Sequence, residues 1–66
     1  MKHWRVDYSI KYVNGVKKEL VGTVEAQSIA VAYGTAFNNI VEPRKNDPEI
    51  SEVVIWSIGI IEDEVF

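Results

Sequence analysis

The 66-residue chain predicts an α+β domain, a single β-β-α-β unit with one helix packed on a three-stranded antiparallel sheet. Three observations lead there. Residues 4–12 alternate apolar and polar side chains, "VNGV" supplies a hairpin signal, and residues 29–40 repeat apolar groups at helical spacing. Residues 1–66 make one domain, close to the size at which a lone hydrophobic core becomes marginal.

The first strand places Trp4, Val6, Tyr8, Ile10 and Tyr12 on one face and Arg5, Asp7, Ser9 and Lys11 on the other. The register of the following hairpin depends on its loop. A two-residue Asn14-Gly15 turn pairs Tyr8 with Val21 and sets Leu20 and Val24 opposite the aromatic face. A three-residue loop of Val13, Asn14 and a left-handed Gly15 pairs Tyr12 with Val16, Tyr8 with Leu20 and Trp4 with Val24. Only the second keeps the large apolar groups together, so it is the expected one.

The second strand spans about Val16–Ala26, with Lys17 and Glu19 on its wet face. Gly22 inside it marks a bulge or the close approach of other atoms. The helix follows in "AQSIAVAYGTAFNNIV", capped by Ser28 and stopped shortly after Val41 by Pro43. Ile29, Ala32, Tyr33, Ala36, Phe37 and Ile40 form its expected core-facing stripe. After the polar loop "EPRKNDPEIS" the third strand begins near Glu52.

That third strand is apolar on both faces. Simple alternation gives one face Val54, Trp56, Ile58 and Ile60, and the other Val53, Ile55, Ser57, Gly59 and Ile61. One helix covers one face of a sheet. Residues 53–61 are therefore expected as a central strand whose second face, with Val53, Ile55 and Ile61, closes on another chain. The alternative is shielding of that face by the stems of Lys11 and Lys18.

The helix adds a second reason to expect a partner. It has no charged residue between Ala26 and Val41, and its outer side carries Ala30, Val31, Gly34 and Asn38, with Ala30, Gly34 and Asn38 four apart. Small groups at that spacing admit another helix or strand closely. The expected state is a symmetric homodimer using Ala30, Val31, Gly34, Asn38, Val53, Ile55 and Ile61. The bland alternative is a short helix whose polar face uses amides and hydroxyls.

Composition bears against catalysis. The chain has no cysteine and one histidine, His3, so thiolate or multi-histidine metal sites and nucleophilic triads lack their parts. Its four glycines are scattered, which leaves no phosphate-binding loop. No enzyme activity, cofactor, metal or small-molecule substrate is expected. No stretch approaches the roughly 20 apolar residues of a membrane span, and the start alternates like a strand rather than a signal peptide. A soluble cytoplasmic protein is the expectation.

The charge is uneven. Residues 1–41 carry five basic and three acidic side chains, whereas residues 42–66 carry two basic and seven acidic ones. Glu49, Glu52, Glu62, Asp63 and Glu64 are the candidate contacts for a partner protein with a basic surface, reached by electrostatic steering or by imitation of nucleic-acid phosphates. A solvated acidic edge is the simpler reading. Direct RNA binding through the basic hairpin, with Arg5, Lys11, Lys17 and Lys18, is the second alternative. The aromatic and basic residues fall on opposite faces, which weighs against it.

"WRVDYSI", the hairpin, "TVEAQSIAVAYGTAF" and the last strand resemble the small β-β-α-β accessory proteins of bacteriophages. The resemblance covers nearly the whole chain through Trp4, Val24, Ala26, Ser28, Ala32 and Ala36. It implies a host-takeover protein in the bacterial cytoplasm that binds and inhibits a nucleic-acid-handling protein, in some members by DNA mimicry. The cluster Glu62–Glu64 has no counterpart in it, and no functional residue carries across. The expected function is thus a non-catalytic, dimeric interaction module with inhibitory action. The further alternative is a structural dimer without it.

Overall fold

The computed structural model describes residues 2–61. In chain order they form β1 (Lys2–Tyr12), β2 (Lys17–Ala26), α1 (Ile29–Ala36) and β3 (Ile50–Ile61). A π-helical turn over Phe37–Val41 and a 3-10 turn over Glu42–Arg44 extend α1. The three strands make one antiparallel sheet with the helical segment on one side, as the α+β class requires.

The hairpin follows the three-residue loop. Tyr8 pairs with Leu20 and Trp4 with Val24. Tyr12 N–H donates to Val16 O at 2.8 Å and Gly15 N–H to Tyr12 O at 2.9 Å. Gly15 takes φ +92°, where a Cβ would strain the backbone. Asn14 Oδ1 accepts from Val16 N–H at 3.0 Å and closes the turn. Gly22 sits opposite Val6 without a register shift. Its missing side chain leaves room for Tyr8 and for Ile40, which descends from the helical segment.

Ser28 caps α1 as expected, its Oγ accepting from Val31 N–H at 3.3 Å. The helix ends through Pro43, whose ring opposes the carbonyl four residues earlier. The preceding turn widens, with Glu42 N–H reaching Phe37 O, and Arg44 Nη1 donates to the carbonyl of Ile40 at 2.8 Å. Carbonyls that lose regular partners at this helix end thus gain others.

Two expectations about β3 are corrected. It is not central: the order is β2-β1-β3, so β1 is the middle strand and β3 an edge. β2 and β3 run parallel, and a connection between parallel strands must cross the sheet. The helical segment carries the chain over β1 and sets β3 down on its far side.

Val53 and Ile55 are also not on the face away from the helix. Asp7 pairs with Ser57 and the next residue, Tyr8, pairs with Ile55, which leaves Trp56 without a partner across the ladder. This β-bulge adds one residue and reverses the alternation beyond it. Val53 and Ile55 lie opposite Ile10 and Tyr8, while Ile58 and Ile60 lie opposite Val6 and Trp4. All four share the helix side. The open face receives Val54, Ser57, Gly59 and Ile61.

The core is thin. Val6, Ala32 and Ala36 are fully enclosed, and Trp4, Val24, Ala26 and Ile40 complete the buried cluster. Trp4 Nε1 spans the sheet to donate to Ala26 O at 3.0 Å. The helix meets the sheet through alanines, so its backbone sits low and chiefly over β2.

Candidate functional site

The lean of the helix toward β2 decides what remains exposed. Of the expected core stripe, Ala32, Ala36 and Ile40 are buried, but Ile29 and Tyr33 stand 56% and 49% exposed. They point to the β3 side, where they line an apolar groove with Ile55, Trp56, Ser57 and Ile58. Sitting low over β2, this short helix does not reach across the three strands to cover β3 as well. Tyr33 and Phe37 stack at 6.4 Å between ring centroids and extend the aromatic wall.

Among the described residues, the outer border of the groove is the free edge of β3. Glu52 is the only charged residue in this 12-residue strand. The other edge, β2, carries Lys17, Lys18, Glu19 and Glu25 over 10 residues. Charges on an edge strand discourage pairing with foreign strands, and β3 lacks that protection along Val53–Ile61. Trp56 and Ile60 are 58% and 52% exposed there. Sequence reasoning missed Ile29 and Tyr33 as surface groups. Helical periodicity gave no signal for this, because it does not say which strand the helix lies over.

The other expected contact residues are dispersed. Ala30, Val31, Gly34 and Asn38 lie exposed on the outer side of the helical segment, and a Cβ added at Gly34 would meet nothing within 4 Å. Ile61 is on the open sheet face, opposite His3. The structure therefore divides the seven expected interface residues among three surfaces.

The open sheet face mixes its charges. Lys11 lies between Lys17 on β2 and Glu52 on β3, and with Ser9, Gly15, Glu19, Val54 and Trp56 these residues rim a shallow recess. Arg5 Nε donates to Asp7 Oδ1 at 3.2 Å, and His3 Nε2 lies 2.9 Å from Glu25 Oε2. Lys18 instead sits on the helix side, 5.7 Å from the Tyr12 ring centroid. The basic hairpin is thus split between faces: Lys18 is on the helix side with Trp4, Tyr8 and Tyr12, whereas Arg5, Lys11 and Lys17 are on the open face.

Of the acidic candidates, Glu49 is exposed beside Tyr12 and Asn14 at the hairpin end, and Glu52 is in the recess across from Lys11. Glu62, Asp63 and Glu64 lie outside the described residues. Among the described residues, no cluster of three His, Cys, Asp or Glu groups is placed to hold a metal ion. No described helix is long and apolar enough to cross a membrane. Comparison with protein-family models, with curated proteins and with solved structures finds no match to this chain.

Proposed function

We propose that this chain is a non-catalytic interaction module that binds an apolar segment of a partner protein in the groove between α1 and β3. The observation that carries this reading is the exposure of Ile29 and Tyr33 beside half-buried Ile55 and Ile58. Leaving large apolar side chains in water forgoes roughly 1.5–3 kcal/mol each. A docked apolar segment recovers that free energy and gives the groove its affinity. A host protein held this way would be occupied or inhibited without any bond being made or broken, the action implied by the phage-protein resemblance.

The test is capture from a bacterial lysate by tagged chain, scored for both protein and nucleic acid. Tyr33→Lys and Ile29→Lys alter exposed positions and leave the buried cluster intact. Each is expected to lose the captured protein while keeping its circular dichroism spectrum. Capture of nucleic acid alone, equal in all three chains, would overturn the reading.

A further inference from the structure

The free edge of β3 has a property beyond being apolar: it is complementary to itself. We propose that two copies of this chain join through antiparallel pairing of their β3 edges, forming a continuous six-stranded sheet. The site is the outer backbone edge of Glu52–Ile61, and its occupant is the same edge of a second copy.

The bulge at Trp56 is what allows this pairing. In a regular strand, residues an odd number apart face opposite sides of the sheet. Antiparallel self-pairing of Val53 with Ile60 would then join opposite faces. The unpaired Trp56 shifts the alternation by one, so Val53, Ile55, Ile58 and Ile60 all face the helix. A two-fold axis perpendicular to the sheet, between residues 56 and 57, now sets Val53 against Ile60 of the second copy and Ile55 against Ile58 of the second copy. On the open face Val54 meets Gly59 of the second copy, and Glu52 meets Ile61 of the second copy. Every pair is face-matched because the bulge lies at the middle of the segment. Moving the axis one residue toward the N-terminus sets Ser51 against Ile60, which leaves that isoleucine without an apolar partner.

Charge agrees with register. β3 carries one charged side chain, Glu52, near one end. Antiparallel pairing puts the two copies of Glu52 at opposite ends of the junction, so among the described residues of β3 no like charges meet. The β2 edge does not have this freedom, with Lys17, Lys18, Glu19 and Glu25 on it. Pairing also satisfies the outward N–H and C=O groups of β3, the usual requirement for an unprotected edge. Both helices fall on the same side of the joined sheet, and the two apolar grooves adjoin across the axis. The inference extends the groove-binding reading and shares Ile55 and Ile58 with it, but it rests on the backbone edge of β3 rather than on Ile29 and Tyr33.

Cysteine cross-linking tests it without background, because the described chain has no cysteine. Ser57 is exposed, and across the axis its two Cα atoms come within the roughly 4.4–6.8 Å span of a disulfide. Ser57→Cys is expected to oxidise to a covalent dimer, while Gly34→Cys on the outer helix face stays single. In analytical ultracentrifugation the native chain is expected at twice its 7.5 kDa mass. Ser57→Lys, which brings a like charge beside the axis from each copy, is expected to halve that mass and keep the fold by circular dichroism. A 7.5 kDa native chain at high micromolar concentration would overturn the proposal, as would cross-linking through Gly34→Cys and not Ser57→Cys. A monomer whose Tyr33→Lys variant still loses its captured protein would overturn the pairing and leave the groove reading standing.

Discussion

Trp4 and Ala26, 22 residues apart in the chain, are joined by a buried hydrogen bond from the indole Nε1 to the backbone carbonyl at 3.0 Å. The bond ties the start of the central strand to the end of β2, where the chain leaves the sheet for the helix. Trp4→Phe keeps an aromatic ring but takes the indole donor away from that buried carbonyl. Losing a hydrogen bond of this kind costs about 0.5–1.5 kcal/mol. Urea denaturation is expected to show a loss in that range, with the slope unchanged. A loss below about 0.5 kcal/mol would mean that water replaces the indole N–H.

Two glycines should respond in opposite directions to alanine. Gly15 has φ +92°, and placing a Cβ there costs about 1–2 kcal/mol. Gly34 lies within α1 with open space where its side chain would be. Gly34→Ala is expected to stabilise the chain by about 0.8–1.0 kcal/mol through helix propensity. Thermal unfolding of the two variants measures both signs at once. A stabilising Gly15→Ala would contradict the loop geometry.

How much of this was legible in the sequence depends on the range over which each signal acts. Asn14-Gly15 and the alternation from Trp4 to Tyr12 are local, and they gave the hairpin its correct register. Ser28 and Pro43 marked the helix ends through equally local chemistry. The bulge at Trp56 leaves no such trace, because an extra residue in a strand is defined only by what its partner strand omits. Counting by twos through Trp56 therefore sent Val53 and Ile55 to the wrong face. The place of β3 at the edge was similarly hidden, since it follows from the helical segment crossing β1. Ile29 and Tyr33 satisfy helical periodicity, but periodicity does not say which strand of the sheet the helix lies over. The groove they line became visible only with the sheet order known.

Gly22 tests how closely the helical segment approaches the sheet. A Cβ at this position would lie 3.6 Å from Tyr8 Cε1 and 3.9 Å from Ile40 Cδ1, both ordinary contact distances. Gly22→Ala is therefore expected to be neutral or stabilising by up to about 1 kcal/mol, since it reduces the freedom of the unfolded chain. Gly22→Val adds two methyl groups against the same neighbours and is expected to cost about 1–3 kcal/mol by overpacking. Equal stability of the two variants in urea would mean that Ile40 swings away freely.

Deleting Trp56 gives the sharpest test of the bulge, because it separates the residue from the phase shift it causes. Without it, Ile55 and Ser57 become neighbours opposite Tyr8 and Asp7, which already pair with them. Val53, Ile55, Ile58 and Ile60 keep the helix side, and the ladder becomes regular. Trp56 is largely exposed, so its removal takes little from the core. The deletion is expected to change stability by less than about 1 kcal/mol, within the range of many surface changes. Deleting Ile58 instead moves Gly59 into the apolar row and Ile60 onto the open face. Loss of a half-buried isoleucine together with a slipped row is expected to cost about 2–5 kcal/mol. Urea denaturation of the two deletions compares them directly. Equal losses would show that β3 re-registers along β1, and that Trp56 does not hold the phase.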